Sequence, residues 1–100
     1  MKHIDDASWL PRLQEGNLQA FKYFFLQYYK PLCLKASLML GDIASAETLV
    51  QQVFREVWLR KEYRKMTVPV ADFFYLRVHV ACEMALSETT ITNMQLSITN

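Results

Sequence analysis

Between Gly41 and Arg60 the apolar side chains fall at Ile43, Ala46, Leu49, Val50, Val53, Phe54 and Val57. That is the i, i+3, i+4, i+7 spacing of one helical face. Gly41 suits the left-handed turn that ends a preceding helix, and Asp42 can accept the unpaired N–H groups that open the next. The other side of this helix carries Glu47, Thr48, Gln51, Gln52, Arg55 and Glu56. A polar face usually serves only solubility. Two adjacent amides and a threonine with few charges also suit the seat of a partner helix.

Upstream, Ser8 is placed to cap a short helix over Trp9–Glu15, with Pro11 tolerated in its first turn. Residues 1–7 are polar and expected to be loose. Gly16 closes that helix and Asn17 caps a longer one over Leu18–Leu40. The long helix shows a broad apolar stripe through Phe21, Phe24, Phe25, Tyr28, Leu32, Cys33, Ala36 and Met39. Pro31 removes a backbone hydrogen bond inside it and should kink the helix or split it after Tyr29. The run FKYFFLQYY reads as core packing ahead of a base-stacking platform.

Downstream, residues 65–69 read as a loop, with Thr67 suited to cap and Pro69 suited to the first turn of a last helix. That helix is expected over about Val70–Ser87, burying Val70, Phe73, Phe74, Val78, Ala81 and Met84 or Ala85. Alternation in YLRVHVA competes for a strand, but the flanking ADFF and CEMAL are helical in pattern. The final stretch SETTITNMQLSITN lacks helical period and reads as a linker, a frayed end or a short strand. The pattern therefore predicts an all-α chain, a compact bundle of about four helices over residues 1–86, with 87–100 a linker or disordered tail.

Composition narrows the function. At 100 residues, 52% hydrophobic, with thirteen aromatics and only two Gly and three Pro, the chain suits one helical domain. No apolar run is long enough to span a bilayer, and MKHIDDASW lacks the apolar core of a signal peptide, so the cytosol is the expected compartment. Cys33 and Cys82 lack metal-ligand spacing and sit in apolar surroundings, as buried free thiols do. His3 and His79 stand apart from each other. No nucleophile–base pair, placed acidic dyad or metal motif is present, and Asp5-Asp6 falls in the loose segment. The expectation is a binding module without a cofactor, not an enzyme.

Charge is uneven. The segment Arg55–Lys65 has Arg55, Arg60, Lys61, Arg64 and Lys65 against Glu56 and Glu62, an excess of +3 in a chain of net +1. Trp58 and Tyr63 are interleaved with these cations. Cations neutralise phosphate and rings stack unpaired bases, so this end suits a nucleic-acid strand. The same residues also fit a helix end whose cations complement the helix dipole.

The order EGN..AF..FF..YY.PL...A..ML.GD...AE.LVQ.VF...W, followed by F.YL, resembles region 2 of bacterial sigma-70-type RNA polymerase sigma factors, most of all the extracytoplasmic-function group. The likeness covers about Trp9 to Leu86. Its most specific block is Gly41-Asp42, Ala46-Glu47, Leu49-Val50-Gln51 and Val53-Phe54. The resemblance implies a helical bundle acting in transcription initiation in a bacterial cytoplasm. Glu47, Thr48, Gln51, Gln52 and Arg55 would dock on core RNA polymerase. Trp58, Arg60, Lys61, Tyr63, Arg64 and Lys65 would face the single-stranded non-template strand of promoter DNA, with Arg77 a phosphate contact from the last helix. An anti-sigma protein and a second copy of the chain are further partners it admits.

The chain departs from the family pattern in three ways. Thr48 and Gln52 stand where the family commonly has acids, which removes charge-assisted contacts worth about 1.5–3 kcal/mol each when buried. Val80, Ala81 and Cys82 occupy the stretch where the family commonly has an Arg-Asn pair. The helix-turn-helix half of a complete sigma factor is not in this sequence. A diverged helical protein-interaction module, no longer binding promoter DNA, is therefore the alternative expectation.

Overall fold

Three caps set the helix boundaries. Asn17 accepts a hydrogen bond from the Ala20 N–H at 3.0 Å, and Asp42 accepts from the Ser45 N–H at 2.7 Å. Gly41 sits at φ 78°, with its N–H bonded to the Ser37 carbonyl, a left-handed conformation that costs glycine nothing. The computed structural model describes residues 5–99, with side chains for 6–88. It contains four helices: α1 (Asp5–Gln14), α2 (Leu18–Leu40), α3 (Ile43–Leu59) and α4 (Val70–Thr99). A 3-10 turn, Glu62–Lys65, joins α3 to the loop before α4. Among the described residues there is no strand, so the alternating YLRVHVA segment is helical.

Three expectations about the elements need correction. First, α1 begins at Asp5, so Ser8 lies inside the helix instead of capping it, and Pro11 is an interior residue. This first turn is held by a contact between elements that are far apart in sequence: Asp6 accepts hydrogen bonds from the Tyr23 and Tyr28 hydroxyls of α2. Second, of the two outcomes expected at Pro31, a kink or a split, the split does not occur: α2 runs unbroken to Leu40 with Pro31 inside it. Pro31 is exposed, where water can satisfy the carbonyl its ring deprives of a partner. Third, 87–99 continue α4 as helix in place of a linker. The segment holds no Gly or Pro, and extending an existing helix avoids the cost of nucleation. At about 1.5 Å per residue α4 is about 45 Å long, the main contributor to a molecule measuring 56 × 26 × 18 Å.

The core is aromatic at its centre. Phe54 of α3 meets Phe25 of α2 edge-on at 5.0 Å and stacks on Phe74 of α4 at 4.9 Å. Leu10 and Leu13 of α1, Phe24 and Leu32 of α2, Val50 and Val53 of α3, and Val70 and Val78 of α4 complete it. Every fully buried residue described is hydrophobic. The predicted face of α3 holds from Ala46 to Val57. Ile43 is the exception, 55% exposed at the helix's first turn.

Candidate nucleic-acid and protein-docking surfaces

At the end of α3 the chain turns sharply. Lys61 adopts φ 56°, ψ 36°, a left-handed conformation that strains any residue with a Cβ. The turn is tied by Arg64 N–H to the Lys61 carbonyl and Met66 N–H to the Tyr63 carbonyl. Gln14 of α1 donates to the Met66 carbonyl at 2.8 Å and anchors the following loop, which contains a cis Val68–Pro69 bond.

This turn separates what the sequence interleaves. Arg60, Lys61, Arg64 and Lys65 are exposed and form no ion pair among the described residues. The rings go the other way. Tyr63 is 5% exposed and packs on half-buried Trp58 at 5.4 Å, which lies 4.8 Å from Phe21. The Tyr63 hydroxyl also covers the α1–α2 corner, 3.4 Å from where a Cβ on Gly16 would sit. Tyr63 is therefore not a surface stacking platform, and Trp58 is occupied on the core side. The physical reason is that two rings bury more apolar area than the short turn can leave in water.

The resemblance implies a phosphate contact for Arg77. Its guanidinium instead bridges two carboxylates. Nε and Nη2 donate to Glu62 at 2.9 and 3.1 Å, and Nη2 also donates to Glu56 at 2.8 Å. All three side chains are about one-quarter to one-third exposed. Hydrogen bonds from Arg77 hold the Glu56 and Glu62 carboxyls below the usual range, and both acids raise the arginine in return. The knot ties α3, the 3-10 turn and α4 together. The knot engages both acids of the basic segment, so none of the four exposed cations forms an ion pair with them, although Arg60 is near enough to help hold both carboxyls down.

Glu47, Thr48, Gln51, Gln52 and Arg55 are all exposed on α3. Gln51 donates to the Tyr29 hydroxyl at 2.9 Å, Gln52 to Glu56 at 3.1 Å, and Thr48 back to the Ala44 carbonyl at 3.1 Å. Beside them lies a groove of about 910 Å³ between α3 and α4, with Leu49, Val53, Ala81 and Met84 among its apolar lining and Thr48 and Gln52 on one wall. Neither the groove nor the Arg77 knot has a sequence signal. Glu56 and Arg77 are 21 positions apart, far beyond any helical spacing.

The remaining reactive groups are quiet. Cys33 and Cys82 are free and buried, and burial pushes both thiols up, which suppresses the reactive thiolate. His79 pairs with Glu83 one turn on, at 3.1 Å, and His3 lies outside the described residues. Among the described residues no three His, Cys, Asp or Glu side chains cluster to hold a metal, and no helix is long and apolar enough to cross a membrane. No protein-family model, curated protein or solved structure matches the chain.

Proposed function

We propose that this chain is a sigma-region-2-like module of transcription initiation. In this reading the outer face of α3 docks on core RNA polymerase, and the turn after it contacts the single-stranded non-template promoter strand. The observation that carries the reading is the exposed quartet Arg60, Lys61, Arg64 and Lys65, whose neighbouring acids are engaged by Arg77. With Tyr63 buried, the contact is to phosphates, and sequence preference would come from elsewhere. The outward Gln51 and Gln52 amides, beside an apolar groove, support the docking half.

Four phosphate contacts on a single strand predict a slope of log K against log salt of about −2.8. Arg64→Ala plus Lys65→Ala should reduce it to about −1.4. Fluorescence anisotropy with a labelled non-template oligonucleotide at several salt concentrations tests this. An unchanged slope in the double variant removes the turn from the interface. For the docking half, co-purification of core polymerase should depend on Gln52, and Gln52→Ala retaining full binding refutes it.

A second reading is favoured by the buried Tyr63, the engaged Arg77, and Val80 and Met84 exposed on α4. It is a diverged helical module that binds a protein and no promoter strand. Absence of salt-dependent strand binding alongside intact folding selects it.

A further inference from the structure

The outer surface of α2 differs in kind from that of α3. Leu18, Leu26, Leu34 and Leu38 are 56%, 75%, 61% and 78% exposed. Lys22 and Lys30 are exposed among them, and neither forms an ion pair among the described residues. The whole of α2 has three lysines, the third being Lys35, and no carboxylate. Single exposed leucines are ordinary, but these follow a rule. Leu26, Lys30, Leu34 and Leu38 are spaced by four and form one continuous ridge. Such i±4n ridges are the ones that interdigitate in the commonest helix–helix packing. Pro31, also exposed on α2, leaves a backbone carbonyl without its usual donor.

We propose that the α2 ridge is a docking surface for an acidic amphipathic helix of another protein. Leucines at one-turn spacing supply the apolar contact. The lysines, with no acid on the helix, select carboxylates and steer them on approach. A lipid surface fits less well. Anionic-lipid recognition uses clusters of about 4–8 cations, and α2 exposes Lys22 and Lys30 only. Its aromatic residues, which would anchor at an interface, turn inward as buried or half-buried rings. A second copy meeting through the same face would set lysine against lysine. The inference does not rest on the transcription reading, because it uses no residue of the outer face of α3 or of the cationic turn.

The test uses the full chain and two synthetic helical peptides of about 20 residues, both with a leucine stripe. One carries glutamates on its remaining face and the other carries lysines. Calorimetry should show the acidic peptide binding at least about tenfold more tightly and weakening with added salt. Amide chemical shifts should move along α2 and not at the Arg60–Lys65 turn. Lys22→Glu plus Lys30→Glu should reverse the preference between peptides. Leu34→Ser plus Leu38→Ser should weaken both, with the thermal midpoint and single-strand binding unchanged. Equal affinity for the two peptides overturns the proposal, as does binding insensitive to these substitutions. Flotation with phosphatidylglycerol vesicles that exceeds peptide binding also overturns it, as does self-association abolished by the leucine substitutions.

Discussion

Replacing Arg77 by alanine separates a structural role from a nucleic-acid role. The side chain makes three hydrogen bonds of 2.8–3.1 Å to two carboxylates. A charge-assisted hydrogen bond in the interior is worth about 1.5–3 kcal/mol, and a fully exposed ion pair about 0–1 kcal/mol. The side chains here are 24–30% exposed, so each of the two pairs is placed near about 1 kcal/mol after solvent screening. Losing Arg77 also leaves Glu56 and Glu62 to repel each other, a repulsion already felt in the intact knot. The expected loss is about 2 kcal/mol, or a fall in thermal midpoint of roughly 8–16 °C for a domain this size. Urea titration followed by circular dichroism reads the loss directly, and Arg77→Lys should recover less than half because it lacks the planar fork. The salt slope of strand binding should stay where it was. A stability change under about 0.5 kcal/mol together with a shallower slope would refute the structural assignment and return Arg77 to the phosphate surface.

The same knot sets an acid sensitivity. Glu56 and Glu62 have carboxyls held down in the folded state. Their contribution is therefore present above the unfolded value of about 4.3 and is lost as pH falls through the lower folded values. Urea midpoints measured from neutral to acid pH should drop in that window, and the drop should shrink in Arg77→Ala. Lys61→Gly should stabilise the fold by about 0.5–1 kcal/mol by relieving the left-handed backbone, while lowering the salt slope by about 0.7; thermal melts and anisotropy read the two effects separately, and destabilisation would contradict the strain. Phe74 is fully buried against Phe54, so Phe74→Ala should cost about 3–5 kcal/mol, and a loss below about 1.5 kcal/mol in urea titration would mean the aromatic centre is not the core.

Local chemistry was readable from the sequence alone. Asn17, Gly41 and Asp42 mark helix ends because each acts within four residues of its own position, and the period of α3 names its buried side. The outward Gln51 and Gln52 follow from that same period. What spacing could not convey was any choice between partners distant in the chain. Trp58 and Tyr63 stand among cations in sequence, yet the fold draws both rings toward the core and leaves the charges in water. Arg77 looked available until the bundle brought Glu56 and Glu62 against it. Asp6 looked loose until two tyrosines from α2 reached it. In each case a long-range contact decided the outcome, because burial and ion pairing depend on which helices meet, and only the packed bundle determines that.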